Sequence, residues 1–127
     1  MKAVSFDPKA NNQRYRKGLT AEYVAALILM LKGYRLLRHR YKTRHGEIDL
    51  VMRRRGEVVF VEVKARDDLS TALQSVTPAM QKRITNAASH FISRNPSCRD
   101  HIIRFDLFAV RSLLCWRHID NAWRPPA

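Results

Sequence analysis

Acidic residues are scarce in this chain. Asp and Glu total 11 against 24 Lys and Arg in 127 residues, a formal net charge of +13 and a pI near 10.7. That imbalance calls for an anionic partner, of which nucleic acid is the commonest and an anionic membrane surface the alternative. No basic amphipathic helix stands out, which weighs against the membrane. Cysteine is nearly absent: Cys98 and Cys115 form no CxxC pair, and with the five scattered histidines they give no zinc spacing. They are expected to be reduced thiols in a cytoplasmic protein. Long hydrophobic runs are missing too. The longest, Tyr23–Leu31, falls far short of the roughly 20 residues that span a bilayer. Met1-Lys2 is followed by mixed polar residues, so no signal peptide is expected. There is no internal repeat, low-complexity segment or linker. Hydrophobic content of 46% supports one domain, placed at residues 14–120, with flexible tails at 1–13 and 121–127.

What is present is concentrated between Gly46 and Arg66. Glu47–Arg53 alternates Ile48, Leu50 and Met52 with Glu47, Asp49 and Val51. Glu57–Lys64 alternates Val59, Val61 and Val63 with Val58, Phe60, Glu62 and Lys64. Period-two patterning around Arg55-Gly56 reads as a hairpin. A two-residue loop pairs Arg54 with Glu57, which sets Asp49 opposite Glu62 and Glu47 opposite Lys64; a three-residue loop would shift this by one. Directly paired Cβ atoms lie about 4.5–5.5 Å apart, close enough that two carboxylates destabilise a sheet unless a cation sits between them. Lys64, two residues past Glu62, points the same way. Asp49, Glu62 and Lys64 thus converge. A carboxylate pair holding Mg²⁺ (or Mn²⁺) can polarise a phosphate oxygen and lower the pKa of a bound water, and an adjacent lysine can orient or deprotonate that water. The chemistry is phosphodiester hydrolysis. The plainer reading is a cross-strand Glu–Lys ion pair with an Asp at a strand end. The apolar run Val58-Val59-Phe60-Val61 favours the first, because a carboxylate and a lysine on a buried strand need compensation.

Elsewhere the expectations are as follows. A helix runs from about Arg14 to Lys32 and stops at Gly33, with Val24, Leu27, Ile28 and Leu31 as its core face. Glu22 has Ala25, Ala26 and Leu29 beside it; it either complements the helix dipole or adds an acid to the cluster. Tyr34–Arg44 is a strand with Arg38, Arg40, Lys42 and Arg44 along one face, a phosphate track or a solvated edge. His39 and His45 have no evident partner. Ala65–Val76 is a mobile, polar, substrate-contacting loop. A second helix opens with Thr77 as N-cap and Pro78 at its first position, buries Met80, Ile84, Ala87, Ala88, Phe91 and Ile92, and ends at Asn95-Pro96. Gln81, Lys82 and Arg83 in its first turns face an anionic ligand. Ile102–Val110 and Leu113–Ile119 are the last strands, with Ile103, Phe105, Leu107 and Ala109 on one side of the first and Asp106 on the other. Trp116 and Trp123 either stack on a base or cover the core. The order is α-β-β-β-α-β-β, a mixed sheet flanked by helices.

Gly18-x-x-Ala21-Glu22-x-x-Ala25, Gly33-Tyr34, Gly46-Glu47-Ile48-Asp49-Leu50-Val51 and Phe60-Val61-Glu62-Val63-Lys64-Ala65-Arg66 closely resemble the YraN family of uncharacterised bacterial proteins. Gln81-Lys82-Arg83 and Arg104-Phe105-Asp106 also fit, so the match runs from about Tyr15 to Val110. That family looks like a branch of the PD-(D/E)XK nuclease superfamily, near the archaeal Holliday-junction resolvases. The resemblance implies a restriction-endonuclease-like α/β core. It implies Asp49, Glu62 and the Val63 carbonyl as metal ligands, Lys64 as catalytic lysine and Glu22 as a further catalytic and metal-site acid. It also implies a homodimer, since resolvase-like enzymes cut symmetric junctions in pairs. Ile48 replaces the Pro of the superfamily motif. Met80 stands where a basic residue usually precedes Gln81, which removes a phosphate contact.

Three readings follow. The first is a Mg²⁺-dependent endonuclease on DNA, branched or junction DNA included, with Arg38, Arg40, Lys42, Arg53, Arg54, Arg55, Arg66, Gln81, Lys82 and Arg83 on the nucleic acid. The second is a non-catalytic nucleic-acid-binding protein of nuclease-like fold, its affinity falling steeply with salt. In the third, the acids and Lys64 form a structural ion-pair network.

Overall fold

The computed structural model describes the backbone of residues 8–125 and the side chains of residues 16–125; of the tails expected at 1–13 and 121–127, residues 1–7 and 126–127 lie outside the described residues. Helix α1 (Pro8–Leu31) is followed by strands β1 (Arg35–Lys42), β2 (Glu47–Arg54) and β3 (Glu57–Ala65), helix α2 (Pro78–Arg94), and strands β4 (Ile102–Ser112) and β5 (Cys115–Trp123). This is the expected α-β-β-β-α-β-β order. The strands form one five-stranded sheet in chain order, antiparallel except for the parallel β3–β4 pair at its centre. The crossover needed for that pair is α2. It covers one face, and α1 covers the other.

The hairpin register is the one read from the sequence: Arg54 pairs with Glu57, and the ladder continues through Leu50 and Val61. Arg55 supplies the left-handed φ of 56° that the tight turn requires. On the α2 side the core holds Val51, Val58, Phe60, Phe105, Leu107 and Ala109 against Ile84, Ala87, Ala88 and Phe91. On the α1 side it holds Leu50, Met52, Val59, Val61, Val63 and Phe108 against Ala21, Ala25, Ile28 and Leu29. Strands β3 and β4 are buried on both faces, which accounts for their runs of apolar residues.

Helix α2 forms as expected. The Thr77 hydroxyl accepts the Met80 N–H at 3.2 Å, and Pro78 occupies the first turn, where its missing N–H costs nothing. Four expectations are corrected. Helix α1 begins at Pro8, not near Arg14, so residues 8–13 are helical. Its buried face is Ala21, Glu22, Ala25, Ile28 and Leu29, whereas Leu27 and Leu31 are exposed at 48% and 80%. From Tyr23 to Leu31 the helix is apolar all round, so periodicity cannot choose a face; small alanines decide it by letting the helix sit close to the sheet. Strand β5 continues to Trp123, which stacks on Phe105 at 5.6 Å and closes the core rather than starting a tail. The Ala65–Val76 segment is folded: the Asp68 carboxylate on the Ser70 N–H starts a 3₁₀ turn at Leu69–Thr71, a second follows at Leu73–Ser75, and Ala72 and Val76 are buried.

Candidate functional site

Asp49 lies where two neighbouring strands change phase together. In β2, Leu50 belongs to the α1-side core and Ile48 to the α2-side core, although they are two residues apart. In β1, His39 pairs with Leu50 and Tyr41 with Ile48, and the residue between them, Arg40, has a φ of 55°. Regular alternation would keep Ile48 with Leu50, and His39 with Tyr41, on one face. The register of β1 also shifts between Leu36 and Arg38. Irregularities of this kind bend a strand and re-aim a side chain. They explain why the expected grouping of Ile48 with Leu50 fails, and why Arg38, Arg40 and Lys42 do not share one face.

The β2–β3 ladder stops at Leu50 and Val61. Glu47 therefore pairs with Lys42 of β1 and not with Lys64. Next in line, the Asp49 carboxylate replaces the backbone as acceptor: Oδ2 takes the Val63 N–H at 2.8 Å. Asp49 and Glu62 are near enough to hydrogen-bond to each other. Burial lifts the Asp49 carboxyl to about 6, against the Val63 N–H that lowers it, and the charges of Glu22 and Glu47 add to the rise. Burial and then the Asp49 charge push Glu62 up to about 8, with Lys64 opposing. Lys64 Nζ stands 3.5 Å from Glu62 Oε1, both side chains being mostly buried. At neutral pH such a pair holds a proton between its members unless a cation replaces it.

Asp49 and Glu62 open onto a cavity of about 350 Å³ lined also by Arg40, Glu47, Met80 and Arg83. Gly46 closes one side. A Cβ there would lie 2.9 Å from the Arg83 carbonyl oxygen, so glycine lets the β1–β2 turn touch the first turns of α2. Glu22 is buried, but its oxygens are already engaged. Arg40 Nη2 donates to Oε2 at 2.8 Å, Arg40 Nε lies 3.2 Å from Oε1, and His39 Nε2 is 3.2 Å from Oε1. His39 thus has a partner, contrary to expectation. Among the described residues there is no group of three or more His, Cys, Asp or Glu arranged to hold a metal ion. The acids that meet are two, Asp49 and Glu62, with Glu22 reaching the cavity through Arg40.

Of the basic residues singled out from the sequence, Arg40 and Arg83 line this cavity, and Lys82 is exposed on the same helix turn. Gln81 instead donates from Nε2 to the Val76 carbonyl at 3.1 Å and ties the preceding loop to α2. Arg66 is exposed just beyond Lys64 and lines a separate cavity with it. Lys42 is exposed at the end of β1. Arg53, Arg54 and Arg55 sit at the hairpin turn, four to six residues and so about 13–20 Å from Asp49 by strand rise. Arg54 stacks on Tyr34 at 4.3 Å, and Arg38 and Arg53 border a pocket near the C-terminal end of α2. These four do not join the carboxylate pair. Among the described residues no helix is long and apolar enough to cross a membrane.

A second polar cluster surrounds Asp106. Asp106, fully buried, accepts from Arg104 Nε and Nη2 at 2.8 Å each, from the Asn121 N–H at 3.0 Å, and pairs with His118 Nε2 at 2.7 Å. Arg104 goes on to Glu57 at 2.7 Å and to the Tyr34 hydroxyl, while Lys32 Nζ meets His118 Nδ1 at 3.0 Å. Burial alone would raise the Asp106 carboxyl. The hydrogen bonds from His118, Arg104 and Asn121 and the Arg104 charge outweigh it and hold the group below the usual carboxylate range. The sequence signal is Arg104 and Asp106 on the same side of a strand, two residues apart; their partners come from the turn after α1, from β3 and from β5 and cannot be read from spacing.

Residues 21–110 match the model of a family described as uncharacterised protein family UPF0102. Among similar proteins, a UPF0102 protein of Parvibaculum lavamentivorans is 41% identical, with 98% of this chain and all of the relative aligned. One of Mesorhizobium japonicum is 46% identical over 91% of this chain and 94% of its own length. One of Bradyrhizobium diazoefficiens is 50% identical over 78% and 76%.

Proposed function

The chain belongs to the uncharacterised protein family UPF0102, and we propose that it is a divalent-metal-dependent endonuclease acting on DNA, branched or junction DNA included. The observation that carries this reading is the Asp49–Glu62 pair. Two carboxyls pushed up to about 6 and about 8 by burial and by each other are kept together in an open cavity, with Lys64 at 3.5 Å. That arrangement costs stability in the absence of a cation, so a cation is its natural complement.

The donor set suits Mg²⁺ or Mn²⁺: hard oxygens, with one or two carboxylates plus waters and a substrate phosphate completing the shell. When bound, such an ion supplies polarisation of a phosphate oxygen and a more acidic bound water. Asp49 and Glu62 hold it, with the Val63 carbonyl as a further ligand. The Val63 N–H fixes Asp49 through Oδ2 and leaves Oδ1 for this work. Lys64 orients the attacking water. Arg40 and Arg83, on the same cavity wall, meet the charge of the phosphate. Glu22 holds Arg40 in place rather than touching the reacting atoms. The basic excess of the whole chain supports an anionic polymer as substrate.

The test is incubation with linear duplex, single-stranded, flapped and four-way-junction DNA, with and without Mg²⁺ or Mn²⁺. Divalent-dependent products that vanish in Asp49→Asn, while binding persists, are expected. Products of equal yield in that variant overturn the reading. Binding without a product under any of these conditions leaves the non-catalytic nucleic-acid-binding alternative.

A further inference from the structure

On the α1 side of Lys64 lies a cavity of about 400 Å³ that Asp49 and Glu62 do not line; Lys17, Gly18, Lys64 and Arg66 do. It adjoins another of about 300 Å³, which shares Lys17 and Ala65 and adds Arg111. Four cations thus follow one another along the junction of α1 with the ends of β3 and β4. The floor beneath them is apolar, made by Ala21, Val24, Ala65 and Val110. Asp67 reaches Lys17 at 3.8 Å, but its side chain is 91% exposed and that of Lys17 54%. A pair this wet does not keep Lys17 from a stronger anion. A Cβ built on Gly18 meets nothing within 4 Å, so the space beside Lys17 is open.

Lys64 belongs to both settings. Its Nζ touches Glu62 of the carboxylate pair, and its side chain lines the second cavity. A single anion would need one pocket. A row of cations over an apolar floor suits a chain with repeating charges and flat or hydrophobic units between them. We propose that this trough is a second phosphate site, built by Lys17, Arg66 and Arg111, which holds the polynucleotide backbone next to the phosphate at Asp49 and Glu62. The strand then runs across the sheet end from Arg83 on α2 to Lys17 on α1. The assignment of neighbouring phosphates rests on the function proposed above, but binding at the trough can be measured without any cleavage.

The experiment uses the full chain in chelator, with a 30-nucleotide single strand and the matching duplex, titrated with salt. In Lys17→Ala/Arg66→Ala, affinity at 100 mM salt should fall at least tenfold. The slope of log K against log[salt] should become shallower by about 1.4 for the single strand and about 1.8 for the duplex, as loss of two phosphate contacts requires. Arg94→Ala/Arg99→Ala removes the same charge at the opposite end of the sheet and should keep the wild-type slope. Equal losses in both double variants would reduce the effect to net charge and overturn the proposal. So would wild-type slope and affinity in Lys17→Ala/Arg66→Ala, or no DNA binding by the wild type at 50 mM salt. Selective loss of binding in Lys17→Ala/Arg66→Ala, together with no divalent-dependent product from the wild type, would keep the trough and remove the nuclease reading.

Discussion

Asp49 does the work of a strand backbone for Val63: its Oδ2 accepts the Val63 N–H at 2.8 Å just where the β2–β3 ladder ends. The carboxylate therefore has a structural duty and an electrostatic liability at once, and the two can be separated by substitution.

Asparagine at position 49 keeps an oxygen for the Val63 N–H and discards the charge; alanine discards both. Asp49→Asn is expected to melt at or above the wild type in chelator. Asp49→Ala should be less stable than Asp49→Asn by about 1–3 kcal/mol, the cost of a buried N–H without a partner. Thermal melts of the three proteins check this ordering. Equal melting of the two variants would mean that the Val63 bond contributes nothing.

Glu62 has a folded-state pKa of about 8, above the unfolded value of about 4.3. A raised carboxyl favours the folded state while it is protonated. Its contribution is fully present below about pH 4 and is lost as pH rises through 8. In chelator the melting temperature should therefore carry a downward component from pH 5 to pH 8, and Glu62→Gln should flatten it. Excess Mg²⁺ should raise the melting temperature more at pH 8 than at pH 6, because at lower pH it competes with the proton. Identical pH profiles for Glu62→Gln and wild type would refute the assignment.

Asp106 has the opposite sign. Its folded pKa lies below the unfolded value of about 3.9, so it stabilises the fold above that pH and the benefit is lost as pH falls through the folded pKa. Asp106→Ala leaves Arg104 without its buried counter-charge and should cost about 3–5 kcal/mol by urea unfolding at pH 7. Cleavage and DNA binding, measured on the protein that remains folded, should change little.

Gly46→Ala brings a Cβ to 2.9 Å from the Arg83 carbonyl oxygen. The β1–β2 turn must move off α2, at about 1–3 kcal/mol. Because Arg83 lines the carboxylate cavity, the substitution should also weaken substrate binding more than it slows turnover. Gly56→Ala, with nothing within 4 Å of the new atom, is the control for space.

The hairpin and its register were legible because alternation and a tight turn are local, and Arg54 opposite Glu57 fixes everything up to Leu50 and Val61. The approach of Asp49 to Glu62 followed from that count. The phase change at Arg40 and Asp49 was not legible, since it depends on two strands bending together. Helix α1 misled for a different reason. Leu27 and Leu31 look like core residues, yet Ala25, Ala26 and Leu29, the small and apolar neighbours already visible around Glu22, lie on the buried side. An acid flanked by alanines was the better clue to which way the helix faces. Lys17 gives no signal in the sequence, because its nearness to Lys64 and Arg66 depends on α1 lying across the end of β3. The Asp106 cluster draws on β4, β3, β5 and the turn after α1, segments that no local pattern brings together.

The parallel seam between β3 and β4 is the one strand contact that no short turn can make. Strands β1, β2 and β3 zip together locally, as do β4 and β5, but the two meanders meet only after α2 has brought their ends together. Loop-closure entropy places that docking late. Pulse-labelled hydrogen exchange during refolding should find β2 amides protected before those of β3 that face β4. Until docking occurs, Glu62 and Lys64 lie on an open sheet edge in contact with water, so their shifted proton affinities arise only in the final stage of folding.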